Sequence, residues 1–478
     1  MPTACTHQVL YCDTSEDASK NTSWNRPDEN ARLAAKTLNG LPPSARPDDV
    51  PKPSSFPGPL VMPDDALAID PDQEPQGLHE YVNADYRNRV TPQRKTIYVF
   101  DAPDVAPGIA HARTWQDPVI PPGPENQPPA EALGVQKPVV QDLAAYIEAF
   151  YHGMTVRVVE NRFRLVEWHS QNRATGSEIG LEALDSSGSP STITQIRCRP
   201  SPDGVAPKNQ LNLNDLLDGL QEALPSDAYA AILLMHHDLY EDDEDDFCCG
   251  RAYGASRICV ISTFRYHPKL GPFEGIIPEH TWPNSHCRDY VDNVWACSAD
   301  DASEESSNRR RTFDPSRMIK VPSSKTPRSL APLAAAVSSV RSLSPQNFER
   351  GDWEATWLAR ACVVAVHELG HCFGLDHCVY YACVMQGTAS VAEDTQQPPY
   401  LCPVCQAKVA YTAAVEAKPT AGRRRRTMKE VERMERAWTL KQYTALQEFC
   451  EERTAGVMFK ALGPWLRSRV LELEGDNG

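Results

Sequence analysis

Eleven residues, His367-Glu-Leu-Gly-His371-Cys-Phe-Gly374-Leu-Asp-His377, constrain this chain more than any other stretch, because they set three imidazoles and a carboxylate within reach of one metal ion. On an α-helix, two histidines four residues apart fall on one face, about 40° apart around the axis, with Glu368 at the edge of that face. Neutral imidazole is a good zinc ligand, and three protein ligands leave the fourth tetrahedral position to water. A straight helix carries His377 away from such an ion, whereas Gly374 can adopt φ > 0, end the helix and turn the chain back. Zinc held there lowers the pKa of its water toward neutrality, and Glu368 is placed to accept the proton and pass it to a leaving amine. The pattern points to a zinc-dependent metallopeptidase.

A five-residue His-Glu-x-x-His can arise by chance on a polar helix surface. Here the preceding run, Trp357-Leu-Ala-Arg-Ala-Cys-Val-Val-Ala-Val366, is too apolar for an exposed helix, and Gly374 and His377 extend the pattern at the spacing a third ligand needs. Cys378, Cys383, Cys402 and Cys405 follow at once, the last two as Cys-Pro-Val-Cys. That spacing suits a four-thiolate zinc site with no open position, a structural ion. Two disulfides are the alternative; they need an oxidising compartment, and Met1-Pro-Thr-Ala-Cys-Thr-His has neither the basic start nor the apolar core of a secretory signal.

With these residues in view, the chain resembles the archaemetzincins. Their pattern is His-Glu-x-x-His-x-x-Gly-x-x-His, then Cys, four residues, Cys, x, Met, a spacer and Cys-x-x-Cys. His367, Glu368, His371, Gly374, His377, Cys378, Cys383, Met385, Cys402 and Cys405 fill every position, with a spacer after Met385 one residue shorter than the family's usual one. Loop length changes closure entropy only slowly, so the difference concerns loop detail. The motif spans about forty residues, with weaker likeness over Ala228 to Pro268. The resemblance implies a metzincin-like α/β fold with a mixed sheet, an active-site helix and Met385 in a turn below the catalytic zinc. It also implies an aminopeptidase-like activity on short peptides.

The chain has 478 residues, 64 acidic and 48 basic, for a net charge of −16, which argues against a mainly nucleic-acid-binding role. No apolar stretch reaches the length of a membrane span. Fifteen cysteines are too sparse for a disulfide scaffold. The balance points to a cytoplasmic or nuclear enzyme acting on peptides, with neither nucleic acid nor membrane as partner.

Of 41 prolines, 22 lie in the first 140 residues, where most of the chain cannot propagate regular structure. Residues 1 to about 50 are expected to be disordered, and 51 to 90 to form an extended arm packing through Phe56, Leu60, Val61, Met62 and Leu67. Thus 1–90 is a Pro-rich, partly disordered extension, 91–415 the catalytic domain and 416–478 a C-terminal helical extension. Strands are expected at Thr96–Phe100, Met154–Glu160, Ile193–Cys198, Ala230–Met235 and Arg257–Ser262, and helices at Val140–Phe150 and Asn214–Leu224. Residues 299–347, acidic, then basic, then rich in serine and proline, are expected to be a mobile insertion. Beyond Arg423–Arg426, a charged linker that also resembles a nuclear import patch, Val431, Met434, Trp438, Leu446 and Phe449 mark one helix face.

Other features have plain readings. Glu241-Asp-Asp-Glu-Asp-Asp246 lacks the glycine and ligand spacing of a calcium loop and reads as a solvated acidic loop, able to repel acidic substrates or to attract a free amino terminus. His236 and His237 read as satisfied strand-end residues, Cys248-Cys249 as an adjacent pair at a strand start, and Cys372 as helix core. The expected site is His367, His371 and His377 around a catalytic zinc, Glu368 as general base, and Cys378, Cys383, Cys402 and Cys405 around a second, structural zinc. Gly374 and Met385 support it. A zinc-stabilised binding or adaptor protein is the competing class, and Glu368 weighs against it, since a structural zinc has no use for a base.

Overall fold

Thr96-Ile-Tyr-Val-Phe100 is apolar at alternate positions on both faces, as an interior strand requires. In this computed structural model it forms β1 (Thr96–Phe100) inside a five-stranded sheet with β2 (Thr155–Val159), β3 (Ala228–Met235), β4 (Gly250–Tyr253) and β5 (Ile258–Ser262). The described residues are 25–43, 50–62, 65–69, 73–119, 134–168, 179–203, 209–288, 290–291, 331–417 and 426–475. The strand order is β4-β5-β3-β1-β2. Ile97 lies beside Val156 and Ala230, all three strands running parallel, and β5 is parallel to β3. Only β4 is antiparallel, pairing Gly250 with Ile261 and Tyr253 with Ile258 at the sheet edge.

Alternation divides the sheet between two cores. Ile97, Val99, Ala230, Ile232 and Leu234 face one core, shared with the helices Val140–Phe150 and Arg350–Phe373. Tyr98, Phe100, Ala231, Leu233 and Met235 face the other, closed by the helix Leu213–Glu222 and a four-stranded sheet that includes Phe163–Glu167, Ile179–Leu184 and Pro190–Ile196. In Val140–Phe150 the buried Val140, Leu143, Ile147 and Phe150 recur at helical spacing, each worth about 1.5–3 kcal/mol in burial. The result is a mixed α/β architecture with the active helix laid across the sheet, the fold class expected from the motif.

Several expectations need correction. The helix expected at Asn214–Leu224 runs over Leu213–Glu222, because Asn212 is its cap, accepting from the Asp215 amide at 3.1 Å. Disorder over residues 1–50 does not hold for 25–43, which contain a helix at Glu29–Ala35 capped by Asp28. Residues 1–24 and 44–49 lie outside the described set. The expected mobile insertion 299–347 is ordered at its end: Pro332–Val340 is a helix that buries Leu333, Ala336, Val337 and Val340. Residues 292–330 and Arg423 to Arg425 lie outside the described residues. Proline at the first turn starts the 332 helix rather than breaking it.

The arm residues Phe56, Leu60, Val61, Met62 and Leu67 are all buried. Phe56 joins the main core, edge-on to Tyr400 and Trp465 at 5.8 and 5.7 Å. The helices Met428–Glu451 and Val457–Gly475 pack on each other, and Trp438 Nε1 donates to His152 O at 2.6 Å and so ties the first to the end of Val140–Phe150. Among the described residues, no helix is long and apolar enough to cross a membrane.

Candidate metal centre

The helix Arg350–Phe373 starts in a capping box, Glu349 with Asp352, and is held along its length by burial of Trp357, Leu358, Ala361, Cys362, Ala365, Leu369 and Cys372. Its last two turns carry His367, Glu368 and His371 to the edge of the sheet beside β4. Gly374 ends it at φ +90°, its amide bonding Gly370 O and His371 O. A Cβ there would lie 2.8 Å from Arg87 Cγ. Two constraints, a left-handed backbone and a guanidinium stem against it, make the position glycine's alone. Gly374→Ala is therefore expected to lower thermal stability by about 2 kcal/mol or more and to weaken zinc binding at the histidines, because His377 reaches them only through this turn. A melting curve and a zinc titration check it; wild-type values in both would show that the turn does not depend on glycine.

The three histidine rings converge, with centroids 4.9, 5.4 and 5.0 Å apart. Each Nδ1 has an outside partner: Val384 O at 2.7 Å for His367, Leu375 O at 2.7 Å for His371 and Gln73 Oε1 at 3.1 Å for His377. A carbonyl can only accept, so Nδ1 of His367 and of His371 carries the proton and each Nε2 presents a lone pair inward. Nε2 of His371 lies 3.1 Å from Nε2 of His367. Two acceptors face to face call for a cation between them, and ligand nitrogens on a tetrahedral zinc lie about 3.3 Å apart. Burial, with the neighbouring imidazoles second, pushes these pKa values down to about 4, 3 and 4 for His367, His371 and His377, so the rings are neutral ligands at neutral pH.

Cys378, Cys383, Cys402 and Cys405 also come together, all buried, with their sulfurs within 4.8 Å of one another. Sγ of Cys378 and Cys402 are 3.5 Å apart, against about 3.8 Å for thiolates on a tetrahedral zinc. Cys402 is the N-cap of Pro403–Ala410, and its Sγ accepts from the Cys405 amide at 3.5 Å. A helix N-terminus favours thiolate. Hydrogen bonds from the other three cysteines hold the Cys378 thiol well below its ordinary pKa, whereas burial pushes Cys383 and Cys402 well up, so the cluster by itself holds one thiolate and a bound cation would be needed to draw the others into that form. Both groups of residues fit zinc by donor type and spacing. Cys378 N–H donates to Met385 O at 2.7 Å, which links the two. Met385 is fully buried and packs against Gly370, below the histidines.

The three histidines open on a cleft of about 710 Å³ lined also by Glu241, Asp245, Arg251, Asp376 and Asp394. Glu368, 7% exposed, lines it, and burial, with Asp394 second, pushes its carboxyl up to about 8. A cation at the histidines acts in the opposite direction. Asp394 accepts from Tyr266 Oη and Thr388 Oγ1, each at 2.5 Å. Glu241 pairs with Arg251 at 2.6 Å. His236 and His237 stay apart from the histidine cluster, bonded to Thr263 Oγ1 and Ala112 O. Cys248 and Cys249 line the cleft, and Cys372 is core.

Reasoning from the chain alone missed Gln73, Asp394 and Tyr266. None sits in a motif; each is brought in by the tertiary fold. Gln76 was missed likewise: its Nε2 donates to Gly374 O at 3.1 Å and Asp376 Oδ2 at 2.7 Å, and the buried Lys408 donates to its Oε1 at 2.7 Å.

Comparison with known proteins agrees with the chemistry. Residues 336–411 match the model of peptidase family M54. The chain is 20% identical over 354 residues to archaemetzincin-2 of Homo sapiens, covering 74% of this chain and 69% of that one. It is 38% identical over 77 residues to the archaemetzincin of Thermococcus kodakarensis, 16% of this chain and 41% of that one. The crystal structure of an archaemetzincin from Methanopyrus kandleri overlays with a TM-score of 0.29 at 14% identity, covering 68% of this chain and 97% of that one, too loosely to weigh on the fold. The matched segment holds the convergent histidines, the capping glycine and all four clustered cysteines, so over its metal-binding segment the chain is similar to the archaemetzincins, and the match supports a zinc metallopeptidase.

Proposed function

We propose that this protein hydrolyses short peptides from the amino end, with His367, His371 and His377 holding a catalytic zinc, Glu368 as general base, and Cys378, Cys383, Cys402 and Cys405 holding a second, structural zinc. The observation that carries it is the inward convergence of three neutral imidazoles, two of them with their tautomer set by backbone carbonyls, beside a buried carboxylate in one cleft. Zinc bound there supplies Lewis acidity toward a peptide carbonyl and a water acidified to near neutrality. Glu368 takes up a proton and returns it to the leaving amine. Gln73, Val384 and Leu375 keep the imidazoles oriented.

β4, an antiparallel edge strand beside Glu368, offers free backbone groups to an extended peptide. The cleft lining holds Glu241, Asp245, Glu368, Asp376 and Asp394 against the single guanidinium of Arg251. That imbalance favours a charged amino terminus and supports the aminopeptidase reading. The same proposal includes the catalytic domain at 91–415 with its two flanking extensions, and no nucleic-acid or membrane partner. A cytoplasmic or nuclear setting belongs to it too, since a four-thiol cluster needs reducing conditions to bind metal.

The test is a mixed peptide library presented with free and with acetylated amino termini. Cleavage should depend on zinc, stop with chelator, return with added zinc, and fall at least about tenfold on acetylation, the size of one lost charged contact. Equal cleavage of blocked and free peptides sinks the aminopeptidase reading; no cleavage by zinc-loaded protein favours the adaptor class.

A further inference from the structure

Next to the cleft lies a smaller pocket of about 130 Å³, comparable to a cavity that holds a benzene-sized ring. The two share Tyr266, Val363, Asp394 and Gln397 in their walls, so they adjoin. Its walls are otherwise mostly apolar, with Ile276, Val340, Leu343 and Met458 among them. Arg360 is the exception. Among the described residues its guanidinium has one acceptor, Tyr266 O at 3.3 Å, and no carboxylate partner. Asp394 is committed to Tyr266 and Thr388, and the half-buried Glu279, which also lines the pocket, makes no ion pair with Arg360 among the described residues. Trp282 Nε1, in the same wall, is a buried donor without an acceptor among the described residues. An arginine in apolar surroundings ordinarily carries a partner, since removing its hydration without one is unfavourable. Burial pushes its pKa down to about 10, the sign of a cation short of counter-charge.

We propose that this pocket takes a carboxylate of the bound peptide, with Arg360 as its counter-charge. Arg360, Val363 and His367 follow one another on one face of the active helix, so Arg360 lies about 10 Å along the axis from the first histidine. An extended peptide covers that distance in about three residues. With the amine end in the acidic cleft, the carboxylate of a tri- or tetrapeptide, or an acidic side chain at that position, meets Arg360. The inference rests on the peptidase reading of the cleft and adds a substrate class to it: short peptides that are acidic at the far end.

The test uses zinc-loaded Glu368→Gln protein, so that peptides stay intact, and fluorescence anisotropy with four labelled tetrapeptides. One is neutral with an amidated end, one neutral with a free carboxylate, one amidated with Asp at position three, and one amidated with Asn there. A carboxylate should improve affinity about tenfold. The free-end arm and the Asp arm show which source is used. Adding Arg360→Met should bring the ratio within about twofold, and Arg360→Lys should restore part of it. Equal affinity for all four peptides, or a preference that Arg360→Met leaves intact, overturns the carboxylate site; should the Met variant fail to fold, the four-peptide comparison and the Lys variant decide. Cleavage by wild-type protein is read separately. A carboxylate preference with no cleavage of any peptide supports this site and overturns the peptidase reading, whereas cleavage without preference does the reverse.

Discussion

Glu368→Gln is expected to keep both metals and the fold and to lose at least about a hundredfold in turnover, the usual contribution of a positioned general base. The substitution isolates the chemistry because it changes almost nothing else. Glutamine has the same shape, so packing beside Gly250 is kept, where Glu368 Cγ would lie 3.2 Å from an added Cβ. What it lacks is a carboxylate able to hold a proton and release it. The side chain is also 7% exposed, so bulk water is poorly placed to stand in for it. Single-turnover cleavage by zinc-replete variant and wild type, with metal content measured on the same samples, gives the answer. Equal rates would remove Glu368 from the mechanism.

Cys402→Ser has the second large effect, and it falls on residues that touch no substrate. Serine is itself a good helix N-cap, so the start of Pro403–Ala410 survives the change. The soft thiolate does not, and zinc affinity at the four-cysteine cluster should collapse. Structural zinc in small sites is worth on the order of 10 kcal/mol, so a fall in Tm of about 10 °C or more is expected. The loss should reach the histidines as well. Cys378 follows His377 directly and its amide holds Met385 O at 2.7 Å, so the segment that returns the third ligand is anchored in the cluster. Zinc affinity at the three-histidine site should fall by about tenfold or more, the scale of outer-shell losses. Unchanged affinity there, with the second zinc gone, would make the two sites independent.

How much of this was legible in the chain follows from what each residue's role depends on. The histidine and cysteine groups are local in sequence, so spacing on a helix and a knuckle brings them together with little help from the rest of the fold. Gly374 was legible for the same reason: a left-handed C-cap is a property of one residue and its turn. β1, β3 and β5 were visible as apolar runs, within one or two residues of their ends. Gln73, Gln76 and Arg87, by contrast, come from a proline-rich stretch 300 to 329 residues upstream of their partners, and their bonds to His377, Asp376 and Glu416 exist only after the chain has closed. Proline content and the apolar residues from Phe56 to Leu67 suggested an extended arm that packs on the enzyme, yet composition carries no information about which site residues such a segment touches. Pro332–Val340 was hidden likewise. It sits at the end of a low-complexity stretch, and its helicity rests on burial of Leu333, Ala336, Val337 and Val340 more than on local signals. Arg360 reads in sequence as an ordinary polar residue in a helix; only the fold shows that it lines a pocket and that, among the described residues, no carboxylate pairs with it.

The most direct measurement is a zinc titration of metal-free, reduced protein, with bound zinc, free thiols and peptide cleavage followed on the same sample. The first equivalent should fill the four-cysteine cluster, removing Cys378, Cys383, Cys402 and Cys405 from thiol titration without producing activity. The second should bring cleavage to its maximum, and a moderate chelator should remove that equivalent first, because the three-histidine site keeps an exchangeable position. Activity that saturates at one equivalent while all four thiols remain free, or no cleavage at two, would contradict the account.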